Sequence, residues 1–75
     1  MNLFEPQHFW PEELKTEARK FRDLNLRRRL LEREIENVDL SGFSALFNEL
    51  ENTRDAEEAQ WVKCLKIYSG LDKTP

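Results

Sequence analysis

Residues 11–38 read PEELKTEARKFRDLNLRRRLLEREIENV, and this stretch decides the fold. A 3–4 spacing runs through it: Leu14, Glu17, Phe21, Leu24, Arg28, Leu31, Ile35, Val38. Six of these eight positions are apolar, and Ala18 lies beside the polar Glu17. That period is the signature of one buried helical face. Pro11 suits a first helical position, where the missing N–H would be unpaired anyway, and Glu12 and Glu13 suit the positive end of the helix dipole. No glycine or proline interrupts residues 12–41. The spacing therefore predicts one helix over 11–38, roughly 42 Å long at about 1.5 Å per residue.

Asp39-Leu40-Ser41-Gly42 breaks the pattern. Asp39 or Ser41 can cap a following helix, and Gly42 eases a turn. A second spacing follows: Phe43, Phe47, Leu50, Arg54, Glu57, Trp61, Cys64, Tyr68, Leu71. It predicts a helix over 42–69 that folds back antiparallel across a short loop, with Gly70 as its C-terminal stop. The polar waist from Glu51 to Glu58 leaves an alternative: a break near Thr53, where Asp55 and Glu58 fit a capping box, giving three helices. The expected class is all-α, an antiparallel helical hairpin of coiled-coil type. Residues 1–10 form an aromatic arm (Leu3, Phe4, Phe9, Trp10), residues 11–70 one helical domain, and residues 71–75 a flexible tail.

Charge supports the hairpin independently. Residues 15–33 sum to +5 and residues 34–60 to −7, within an overall −3. With the turn near residue 40, residue i faces roughly 80 − i, so the basic block lies against the acidic one. Exposed pairs contribute only about 0–1 kcal/mol each, so they inform register more than stability. Arg28, on the seam, either extends past it to solvent or joins a polar layer with Arg54 or Glu57 that fixes register.

Several function classes are excluded. Apolar residues come in short runs, as at Phe9-Trp10, Leu30-Leu31 and Trp61-Val62, against the roughly 20 that a spanning helix needs. The first fifteen residues carry Glu5, Glu12 and Glu13, unlike a secretory or transit peptide. A lone thiol, Cys64, and no export signal point to the cytoplasm. Glu5-Pro6-Gln7-His8 has the E-x-x-H letters of a carboxylate-bridged metal site, but Pro6 interrupts it and no second histidine exists. Cys64 has no histidine within its helix, and no glycine-rich phosphate loop is present. No enzyme, cofactor or metal is expected.

What remains is surface. With Arg28 at 0° and about 100° per residue, the seam of the first helix falls between about 280° and 40°. Lys15, Arg19, Arg22, Arg29 and Arg33 fall between about 100° and 180°, with Leu26 and Leu30 at about 160° and 200°. Lys20 and Arg27, near about 270°, flank the seam and can meet the acidic second helix. A solvated face explains charges, with Arg29–Glu32 and Arg33–Glu36 offsetting some of them. It does not explain two outward leucines. The stripe, with Phe4, Phe9 and Trp10 of the arm, reads as a protein-binding surface. Its partner would be another protein with an acidic, partly apolar surface, and the chain an adaptor, chaperone or inhibitor. The alternative is a nucleic-acid-associated regulator using the same basic face, against which the pI near 5.2 argues. Two inner faces that cannot enclose each other also predict a homodimer, a four-helix bundle. The arm is the rival cover for the core, and for Leu26 and Leu30.

Overall fold

The computed structural model describes residues 2–72. It is a helical hairpin: α1 spans Glu12–Asn37 and α2 spans Leu40–Asp72. Its extents are 56 × 18 × 15 Å, one helix pair wide and one helix thick. Pro11 sits at the cap with extended backbone (φ −65°, ψ 158°) rather than at the first helical position, and its carbonyl accepts the Lys15 N–H at 3.1 Å.

The turn is tighter than the sequence suggests. Only Val38 and Asp39 separate the helices, and α2 starts two residues before the expected Gly42. Asp39 is the cap. Its Oδ1 accepts the Gly42 N–H at 3.2 Å and the Ser41 hydroxyl at 2.7 Å. These donors hold its carboxyl below the ordinary value, the Ser41 hydroxyl most. Gly42 is helical rather than a turn glycine, and no described residue has positive φ. A Cβ there would lie 2.8 Å from Val38 Cγ2, so close approach is its constraint.

Helix α2 is unbroken, which removes the three-helix alternative. Thr53 donates its hydroxyl to the Glu49 carbonyl one turn back at 2.8 Å and stays on the buried side. Its polar group is satisfied inside the helix instead of capping a new one. Gly70 does not stop the helix. It is exposed, nothing would meet its Cβ within 4 Å, and two more helical residues follow. Leu71 and Asp72, expected in the flexible tail, are helical; the rest of that expected tail, 73–75, lies outside the described residues.

The arm folds onto its own chain. Residues 2–10 form turns that place Leu3 and Trp10 in a cluster with Leu14, Ala18 and Cys64. Phe21, Trp61, Ile67, Tyr68 and Leu71 pack around it. The register explains why. Helix α2 runs about one turn past the level where α1 begins, so its end needs a cover, and the arm is the nearest chain. The Trp10 ring meets Tyr68 edge-on at 6.3 Å, and Phe4 meets Phe21 edge-on at 5.8 Å. The Trp10 indole N–H finds no acceptor among the described residues, so the side chain acts as an apolar plug. The arm does not reach Leu26 or Leu30, both of which stay exposed.

Cross-helix pairs bracket the expected register. Arg27 pairs with Glu49, Arg28 with Glu57 (2.6 Å), Arg54 with Glu32 (3.2 Å) and Lys63 with Glu17 (3.4 Å). Lys20 pairs within α1, with Glu17 at 3.2 Å, instead of reaching across.

Candidate protein-docking face

Two polar layers orient the helices, and so decide what α1 turns outward. In the middle, Glu57 accepts Arg28 Nε at 2.6 Å and Asn25 Nδ2 at 2.7 Å. Arg28 also donates to Glu32 at 2.9 Å, and Arg54 donates to the same carboxylate at 3.2 Å. Arg28 thus joins the polar layer and does not extend to solvent. Its guanidinium is held above its ordinary pKa, chiefly by Glu57, and the Glu32 carboxyl below its own, chiefly by Arg54. Nearer the open end, Glu17 accepts Gln60 Nε2 at 2.6 Å, with Lys20 and Lys63 beside it. The same Gln60 amide group bonds the Glu17 carbonyl at 2.9 Å. The Gln60 bond is the main cause that depresses the Glu17 carboxyl. Every charge on the seam is paired, as burial requires.

With the seam so fixed, the far side of α1 faces away from α2. Arg19, Leu26, Arg29, Leu30 and Arg33 are exposed, and Lys15 and Arg22 are half-buried. Leu26 is 58% exposed and Leu30 49%. They line a shallow apolar groove with Leu24, Asp23 and Arg27. The sequence stripe omits these last three, because a wheel cut at the seam assigns Leu24 to the core and Arg27 to α2.

The cations divide. Lys15 lies 3.7 Å from Glu12. No ion pair among the described residues involves Arg19, Arg22, Arg29 or Arg33. The expected Arg29–Glu32 and Arg33–Glu36 offsets do not form; Glu32 is drawn inward by Arg28 and Arg54. The stripe therefore carries more uncompensated positive charge than the sequence spacing suggests.

The aromatic members of the expected surface separate from it. Trp10 is 4% exposed and belongs to the core, so it offers almost nothing to a partner. Phe4 is half-exposed on Phe21, and Phe9 is 64% exposed beside His8. The structure does not bring the arm and the Leu26–Leu30 groove together.

Among the described residues no group of histidine, cysteine, aspartate and glutamate is placed to hold a metal ion. Cys64 is buried, and desolvation raises its thiol pKa, the opposite of what activates a nucleophile. No helix among the described residues is long and apolar enough to cross a membrane. Compared with known protein families, curated proteins and solved structures, the chain matches none.

Proposed function

We propose that this chain is a small protein-interaction module that docks a larger protein through the outer face of α1. The supporting observation is the pairing of Leu26 and Leu30, about half exposed, with four arginines that make no ion pair among the described residues. The fitting partner surface is apolar at its centre and acidic at its rim. The arginines steer and orient the encounter, and the leucines supply affinity on desolvation. A bare phosphate backbone would use the cations and leave the leucines wet, so it fits this face less well.

Affinity capture identifies the partner, and titration of the purified pair tests the face. Covering the remaining half of each leucine yields about 1 kcal/mol apiece, so Leu26→Ala with Leu30→Ala should weaken binding about 30-fold. Removing two of the exposed rim cations, Arg19→Ala with Arg33→Ala, should cost about 0–1 kcal/mol per charge, with modest salt dependence. If arginine losses dominate and affinity falls steeply with salt, the ligand is nucleic acid. If neither pair matters, the face is only solvated.

A further inference from the structure

The hairpin has a second unpartnered face, on a different side from the Leu26–Leu30 groove. Phe21, Asn25 and Arg28 of α1 and Glu58 and Trp61 of α2 line one shallow cleft, so these flanks of the two helices look the same way. With Leu50 at 0° and about 100° per residue, Phe43, Phe47, Leu65, Leu40 and Val62 all fall between about 20° and 120° on that flank of α2. These five are all the exposed large hydrophobics that α2 carries among the described residues. Phe43 and Phe47 stack at 5.7 Å, a preformed flat patch near the turn. Exposed apolar side chains scattered singly need no explanation, but five on one flank do.

The same face carries opposite charges on its two halves. On α1, Arg29 and Arg22 fall at about 100° and 120°, and neither has an ion-pair partner among the described residues. On α2, Glu51 and Glu58 fall at about 100° and 80°, both exposed and likewise without a cation partner among the described residues. By the hairpin register, Arg22 lies level with Glu58 and Arg29 level with Glu51.

We propose that this face binds a second copy of the chain, with the two-fold axis parallel to the long axis of the hairpin. That operation keeps every residue at its own level and lays α1 of each copy over α2 of the other, antiparallel. Arg22 and Arg29 of one copy then meet Glu58 and Glu51 of the other, twice, by symmetry. The five apolar residues of α2 and the Phe21–Trp61 cleft are covered together. The other face-to-face arrangement, with the axis across the hairpin, lays α1 on α1 and sets arginine against arginine. Charge decides between them. The result is a four-helix bundle in which every neighbouring pair is antiparallel, and the Leu26–Leu30 groove stays open. The dimer takes up Arg22 and Arg29, two of the four arginines of α1 that are unpaired among the described residues, and leaves Leu26, Leu30, Arg19 and Arg33 for docking; it does not rest on that docking role.

A charge swap tests it, read by sedimentation equilibrium of the full chain at micromolar concentration. The native chain is expected to be a dimer. Glu51→Arg with Glu58→Arg should weaken self-association by about tenfold or more, and so should Arg22→Glu with Arg29→Glu, since each sets like charges together at both symmetric contacts. Circular dichroism confirms that both variants stay helical; Arg29, Glu51 and Glu58 are exposed and Arg22 is half-buried. Mixing the two variants should restore the dimer as a heterodimer, because one contact is then native and the other reversed. A variant that merely fails to fold cannot be rescued this way. A monomeric native chain overturns the proposal, as does a native dimer whose variants do not complement.

Discussion

Trp10→Ala probes whether the arm is part of the fold. Trp10 is 4% exposed and packs in one cluster with Leu3, Leu14, Ala18 and Cys64. Truncating a buried tryptophan costs about 3–5 kcal/mol through lost transfer energy and the cavity left behind. A chain of 75 residues has a total stability of about 4–11 kcal/mol at the usual value per residue. The substitution therefore removes about a quarter of the stability at least. At about 4–8 °C per kcal/mol for a domain of this size, Tm should fall by about 12 °C or more. Thermal unfolding followed by circular dichroism reads the effect directly, with Phe9→Ala as the control, since Phe9 is 64% exposed. Phe9→Ala should change Tm by only about 4 °C or less, as surface substitutions do. Equal small shifts for both variants would refute the closed arm-and-helix core.

Acid should weaken the hairpin. Glu17 and Glu32 have pKa values depressed below the ordinary 4.5 by Gln60 and by Arg54 respectively, so the unfolded chain binds more protons as pH falls. Their contribution is complete above about pH 5 and fades as pH falls from there through the folded-state values. Urea midpoints should drop over that range, and less in Glu17→Gln; a flat profile would contradict the assignment. Gly70→Ala should stabilise by about 0.5–1 kcal/mol, since the site is helical and open, as urea unfolding will show. Gly42→Ala should gain less or lose, because its Cβ meets Val38 Cγ2 at 2.8 Å. Cys64 is buried with a raised thiol pKa, so it should react with a thiol reagent only as fast as the chain opens. Prompt labelling of the native chain would place it outside the core.

The hairpin is legible in the sequence because two long 3–4 spacings flank one short break and the charge blocks on either side are opposite. Both signals depend on helix geometry alone. Thr53 and Gly70 mislead for related reasons. Each residue type favours a helix end, yet the preference is worth only about 1 kcal/mol, less than the packing that continuing α2 gains. In α2 that packing is the contact of Tyr68 and Leu71 with the arm cluster. The Arg28 layer is half legible: the spacing puts Arg28, Arg54 and Glu57 on the seam, but not the competition in which Glu32 leaves Arg29 for Arg28 and Arg54. The apolar flank of α2 escapes a reading centred on the seam. Phe43 and Phe47 count there as core, whereas one facing helix leaves both exposed.

The docking face of α1 is tested most directly by a photo-cross-linking residue placed at position 30, in the centre of the exposed stripe, with a control at Asp55 on the far side of α2. Adducts formed in cells are digested and the attachment point read by mass spectrometry. The account predicts one dominant protein adduct from position 30, attached within an acidic, partly apolar segment, absent from the control and reduced, up to about fivefold, when Leu26→Ala is added. A nucleic-acid adduct from position 30, or a yield no greater than that of the control, would contradict it.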